Sequence, residues 1–186
     1  MYRQYFSDRL SQLQLNVLQE HRLATIVSIN VVDIGEHMAD DPEQTPNLLY
    51  QDFQVITQSV QQYEGQVLKT TGDELLIYFP SPVNAVNCAQ DIQLALRQIA
   101  QTTSQQMLTY RIGIHYGDVI FSFSDITGPG VKIATKVQAE ISPGGIGISQ
   151  TVYEEVRSYL TLQPIEIGQR QFEGIEQPML LYQLTL

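Results

Sequence analysis

Cysteine is almost absent from this chain. With Cys88 alone there is no internal disulfide, and a lone cysteine in an apolar helical run reads as core packing. Basic residues are also scarce. Ten Lys and Arg stand against 20 Asp and Glu, a net charge of −10, which argues against nucleic-acid binding, since that needs a basic surface. The same charge repels a polyanionic ligand unless a local basic pocket or a metal offsets it. No apolar run reaches membrane length, and the opening MYRQYFSDRL lacks the apolar centre of a signal peptide. A soluble, cytoplasmic protein is expected, with no membrane span. Charged residues make up 16% and hydrophobic ones 43%, a globular balance rather than a disordered one. At 186 residues the length suits one domain with its own core.

In chain order, Phe6, Leu10, Leu13 and Val17 share one helical face, so residues 1–20 are expected to form an amphipathic helix. It either packs on the domain or makes a short coiled-coil seam with a second copy. Leu23 to Val32 is β-branched and apolar, a strand buried on both faces. The polar stretch EHMADDPEQTP is a loop or short helical piece. Leu49, Phe53, Ile56, Val60 and Tyr63 mark a helix that stops at Gly65.

GQVLKTTGDELLIYFP then reads as a β-hairpin with Gly72 and Asp73 at its tip. A carboxylate on a rigid tip, four residues after Lys69, suits a phosphate-and-metal or purine site, though polar tips also occur in ordinary hairpins. Ser81-Pro82 opens a second helix, with Val86, Ala89, Ile92, Leu96 and Ile99 on its inner face. Leu108 to Phe123 is a long bent strand or two strands, bending at Gly117-Asp118. His115 lies alone in it and reads as structural rather than as a zinc ligand.

Pro129 opens a helix to about Ile141, on which Lys132 and Lys136, four apart, project from one face. SPGGIGIS is a Gly-rich turn into a strand and lacks the Lys-Ser/Thr of a phosphate loop. A short helix over Thr151–Tyr159 and strands near Gln163–Ile167 and Met179–Leu184 complete the chain. The order predicts an α+β fold: a ferredoxin-like βαββαβ sandwich with additional C-terminal αβ elements, its helices on one face of a mainly antiparallel sheet.

Seven ordered segments carry a resemblance: RLATIVSINVVDIG, GQVLKTTGDELLIYF, PVNAVNCAQDIQLAL, RIGIHYGDVI, SDITGPGVKIATKV, SPGGIGISQTVYEEVR and FEGIEQPMLLYQL. Together they resemble the class III adenylate/guanylate cyclase catalytic domain in its bacterial branch, from about Arg22 to Leu184. A cyclase homology domain over 21–186 is the implied boundary. The resemblance implies a dimer in which acids at the first strand's end and at the hairpin tip hold two magnesium ions. The partner subunit then brings the groups that read the purine and support the ribose and phosphates. The implied reaction is attack of the ribose 3′ oxygen on the α-phosphorus with loss of pyrophosphate, which needs metal clamps and positive charge.

Position by position, the hairpin-tip metal acid is Asp73, and the purine-reading pair is Lys69 and Asp125, the adenine-selecting type. The remaining positions depart from the pattern. The first-strand metal acid is Asn30. The small residue of the phosphate-facing turn is Asp33. The transition-state Asn and Arg are Lys132 and Lys136, and the late Lys is Glu173. Magnesium prefers anionic oxygens, so Asn30 removes a charge where two dications must sit. At about 4 Å and an effective dielectric of about 20, Asp33 against a phosphate costs about 4 kcal/mol. Lys136 keeps charge but loses the bidentate fork.

The expectation is a non-catalytic cyclase domain with no confident catalytic residue, acting as a dimerising regulatory or interaction module. Its nucleotide-binding set is Lys69, Asp125, Lys132 and Lys136. The two lysines on the helix either bind a triphosphate without metal, form a solvated face, or pair with acids at a dimer interface. Asp33 as a displaced metal ligand is a further reading. No cofactor is expected, with Mg or Mn accompanying any residual nucleotide binding. The expected partners are a second copy or an active cyclase domain, and ATP or another nucleotide. The alternative is a low-activity adenylate cyclase making cyclic AMP and pyrophosphate, aided by Mn or a partner subunit.

Overall fold

The apolar run that begins at Leu23 becomes β1 (Glu20–Val31), the middle of the sheet. The computed structural model describes residues 20–103, 108–122, 125–173 and 175–185. The helix expected over residues 1–20 lies outside the described residues. After β1 come α1 (Ile34–Asp40), α2 (Thr45–Gln62), β2 (Gln66–Thr71), β3 (Glu74–Phe79) and α3 (Pro82–Thr103). There follow β4 (Tyr110–Phe121), β5 (Ile126–Thr127), α4 (Pro129–Ala139), β6 (Ile146–Ser149), α5 (Gln150–Val156), β7 (Pro164–Arg170) and β8 (Met179–Leu184). The sheet order is β2-β3-β1-β4-β6-β8-β7, with β5 added to β4. All pairs are antiparallel except β4 with β6. The α+β class expected from the sequence is the one observed.

Local signals place the ends. Ser81 Oγ accepts from the Asn84 backbone N–H at 3.3 Å, capping α3 ahead of Pro82. Gly65 N–H returns to the Val60 carbonyl at 2.8 Å and closes α2. The long strand expected at Leu108–Phe123 is one strand through Gly117-Asp118 and not two.

The two faces of β1 build two cores. Val27, Ile29 and Val31 pack with Leu75, Ile77 and Phe79 against Ile56 and Val60 of α2, Val86, Ala89 and Ile92 of α3, and Val152 of α5. Cys88 is buried in this layer, and burial pushes its thiol up to about 12. Ala24 and Ile26, on the other face, pack with Leu76, Val119 and Ala134 of α4. Helices on one face only is therefore corrected: α4 covers the opposite side. The β4–β6 pair is parallel, so α4 must cross over a face of the sheet, and a strand apolar on both sides needs cover on both. Gly113 makes the approach close, since a Cβ there would lie 2.2 Å from the Gln138 nitrogen and 2.5 Å from the Ala134 oxygen. Among the described residues no helix is long and apolar enough to cross a membrane.

His115 points from β4 toward the start of α5. Thr151 Oγ1 donates to the Tyr116 carbonyl at 2.8 Å, so it accepts from Ser149 Oγ at 2.9 Å, which accepts from His115 Nδ1 at 2.8 Å. Only that direction satisfies all three contacts, and it fixes the neutral Nδ1–H tautomer. Burial lowers the ring's pKa to about 4. The unfolded chain takes this proton near 6.5 and the folded chain resists it, so the stability involved is full above that pH and is lost as pH falls toward 4. Denaturant titrations from pH 7.5 to 4 should show wild type losing roughly 2–3 kcal/mol more than His115→Gln. Parallel acid limbs in the two proteins would contradict this.

Candidate nucleotide site

The hairpin turns over Gly72-Asp73. Gly72 has φ 60, and Asp73 is not among the residues with positive φ, the sign pattern of a type II′ turn that matches strand twist. Successive residues of β1 pin the tip: Asn30 Nδ2 donates to Asp73 Oδ2 at 3.1 Å, and the Val31 backbone N–H donates to the Asp73 carbonyl at 3.2 Å. The reverse amide orientation would set two oxygens against each other, so the N–H faces the carboxylate. Asp33 follows in the left-handed conformation, φ 52 and ψ 35, ahead of α1. That backbone region favours Gly and tolerates Asp, which is why a small residue suits this turn. Its exposed side chain makes no capping bond.

A pair of magnesium ions does not fit this donor set. Two adjacent dications need bridging anionic oxygens. Here one carboxylate is met by an amide N–H, which repels a cation at the same place. Among the described residues no group of three or more His, Cys, Asp or Glu is arranged to hold a metal ion.

The second part of the site lies under the hairpin on the α4 face. Lys69 stands at a register shift in β2, opposite Leu76. It lines a cavity of about 240 Å³ with Asp125, Thr127, Gly128, Val131 and Lys132. Asp125 is oriented by the Ile126 backbone N–H, 2.9 Å from Oδ1. Gly128, at φ 107, carries the chain from β5 into α4. A neighbouring cavity of about 260 Å³ is lined by Lys69, Thr71, Glu74, Leu76, Val131 and Thr135. The two share Lys69, Leu76 and Val131 and so form one groove.

The structure therefore gathers Lys69, Asp125 and Lys132 into one cavity, and Asn30 with Asp73 at the tip. Lys136, one turn beyond Lys132, is engaged elsewhere. Its Nζ donates to the Glu173 carbonyl at 3.4 Å and sits 5.7 Å from the Phe172 ring centre, holding the segment between β7 and β8 against α4. Glu173 meets α4 through its backbone.

Two residues escape the sequence reading. Arg111 pairs with Asn30 across β1 and β4, and its buried Nε has no hydrogen-bond partner among the described residues. Glu74 pairs with Asn30 from the other side, so the three residues form a row on one face of the sheet. An arginine two residues into a strand, between Tyr110 and Ile112, is a signal that could reveal Arg111. Nothing in the periodicity marks Glu74. Chemically, an ammonium and a carboxylate fixed in one cavity can read a heterocycle that offers both an acceptor and a donor.

Comparison with known proteins places the fold and the family. A Rhizobium meliloti (strain 1021) protein described as "Putative adenylate cyclase 3" is 32% identical over 160 residues, 85% of this chain and 27% of the relative's length. The chain thus spans about a quarter of that relative. An adenylate/guanylate cyclase/hydrolase from Silicibacter pomeroyi has a TM-score of 0.82 and 28% identity, covering 90% of this chain and 99% of that one. A non-canonical dimeric guanylyl cyclase domain of the RhoGC fusion protein from Blastocladiella emersonii shares the fold, with a TM-score of 0.75, 17% identity and coverage of 89% and 97%. Residues 17–185 match the family described as the adenylate and guanylate cyclase catalytic domain, and the chain belongs to that family.

Proposed function

We propose that this domain is a non-catalytic member of its family: a dimerising regulatory module whose groove accepts a purine nucleotide without a divalent metal. The Asn30 Nδ2–Asp73 Oδ2 bond of 3.1 Å carries the reading, because the position that should share a cation donates a proton instead. Lys136 supports it, since its hold on Phe172 and Glu173 takes it away from developing phosphate charge. Removing one transition-state donor costs roughly a hundred- to a thousandfold in rate, and here a metal ligand is missing as well. Lys69, Asp125 and Lys132 remain together, the first two suited to base recognition and Lys132 adding a further exposed cation. In the family pattern the purine residues and the metal acids come from different subunits, so the module pairs with a second copy or with an active cyclase domain that brings both carboxylates. A cytoplasmic setting accords with the ligand and with the lack of a spanning helix among the described residues.

A second reading, a slow adenylate cyclase using Mn or a partner subunit, is favoured by the retained carboxylate of Asp73 and by Lys69 and Asp125 sharing a cavity.

With MgATP or MnATP, purified protein should give no cyclic AMP above background. Turnover that Asp73→Ala abolishes would establish the second reading and overturn the first. Asn30→Asp should lose the tip hydrogen bond, roughly 1.5–3 kcal/mol for a bond to a charged group, and should gain a Mn-dependent rise in melting temperature that wild type lacks. An equal manganese response in both proteins would contradict the account of Asn30. Sedimentation should show a dimer at high concentration; a 21.0 kDa monomer throughout would remove self-association.

A further inference from the structure

Glu74 has no part in the metal, base or phosphate positions described above, yet it is held with care. It follows the tip directly, pairs with Thr71 on β2 and Asn30 on β1, and is half-buried in the groove. Hydroxyls from two elements face its carboxylate. Ser28 Oγ of β1 donates to Oε1 at 3.2 Å, and Thr135 Oγ1 of α4 lies 3.4 Å from the same oxygen, its one proton shared with the Val131 carbonyl at 3.3 Å. Among the described residues no donor meets Oε2. The groove thus contains an oriented carboxylate with one oxygen to offer a ligand.

A carboxylate of this kind accepts and never donates, and it repels a phosphate placed beside it. The ligand must bring a hydroxyl or an amino group to this end of the groove. Thr71 and Glu74 form the next rung on the same face as that of Lys69 and Leu76, two residues or about 7 Å along the strand. If Lys69 and Asp125 hold a base, the next part of a nucleoside to reach Glu74 is its ribose, whose 2′ and 3′ hydroxyls are donors. Acidic residues read ribose in dinucleotide-binding folds by the same chemistry.

We infer that Glu74 is a specificity-determining residue that accepts a hydrogen bond from a ribose hydroxyl, so that the groove selects ribonucleosides and ribonucleotides with free hydroxyls over deoxy analogues. This rests on the nucleotide-binding reading above. It also orients the ligand, sending any 5′ phosphate away from Glu74 toward Lys132.

The test is titration calorimetry of the full chain in EDTA with adenosine, 2′-deoxyadenosine and 3′-deoxyadenosine. Wild type should bind adenosine about ten- to a hundredfold tighter than at least one deoxy analogue, the range for a hydrogen bond to a charged acceptor. Glu74→Gln keeps an oxygen for Ser28 and Thr135 but can present an amide donor where Oε2 stood. It should erase that preference and keep wild-type melting behaviour. Equal affinities for the three nucleosides in wild type, a comparison that needs no variant, would overturn the inference and leave nucleotide binding standing. Preserved discrimination in a folded Glu74→Gln protein would overturn it too. If wild type binds none of the three, this inference and the nucleotide reading fail together.

Discussion

The hydrogen bond from Asn30 to Asp73 decides the character of the cleft. A carboxylate at the tip of a two-residue turn, partly out of water, needs either a cation or a donor. Asn30 supplies the donor from the end of β1, and the next residue, Val31, ties the same turn through the backbone. The tip is therefore closed onto the central strand without help from an ion. This fixes the far end of β2 and β3, and with it the rungs that present Lys69 and Glu74 to the groove. An aspartate at position 30 could not do this alone, since two carboxylates at that spacing repel unless a metal lies between them.

The second constraint is the two-sided burial of β1. Because both faces are apolar, the sheet must be covered twice, and the two covers divide the labour. The α2, α3 and α5 layer forms the large core and carries none of the site residues. The α4 layer is thinner and holds the groove between the helix and the hairpin. Gly113 allows the helix backbone to rest almost on the strand, so Val131, Lys132 and Thr135 lie near the residues of β2 and β3. Close helix-to-sheet packing and the ligand groove are consequences of one crossover.

Much of this is written in local sequence. The apolar run of β1, the Thr-Gly-Asp tip, Gly65 ending α2 and Ser81-Pro82 opening α3 each follow from short-range physics, and the structure places them as the sequence predicts. What escapes is what depends on neighbours distant in the chain. Burial on both faces of β1 can be read from its composition, but which helix covers which face depends on the parallel β4–β6 pairing. Lys132 and Lys136 look equivalent at a spacing of four. They separate because Phe172, 36 residues after Lys136, offers one of them a ring and the next residue, Glu173, a carbonyl. Glu74 is invisible for the same reason: its meaning comes from Ser28, 46 residues earlier, and Thr135, 61 later.

Charge settles how such a cleft can hold a nucleotide at all. The chain carries a net charge of −10, and the groove adds acids at both ends, Asp125 and Glu74. A triphosphate needs local compensation that a metal pair would normally give. Without the pair, Lys69 and Lys132 are the exposed cations of the groove wall, with Lys136 held by the Phe172 segment. Two exposed ammoniums compensate only part of a triphosphate's charge, and in the proposed mode Lys69 is engaged by the base; a base, a ribose and at most a single phosphate would then match an acceptor and a donor for the ring, an acceptor for a hydroxyl, and the charge of Lys132. On the proposed nucleotide reading, the electrostatics favour a nucleoside or a nucleotide with few phosphates as the occupant. On that reading recognition is separable from turnover, because the contacts proposed to read base and sugar do not depend on those that would stabilise a departing pyrophosphate.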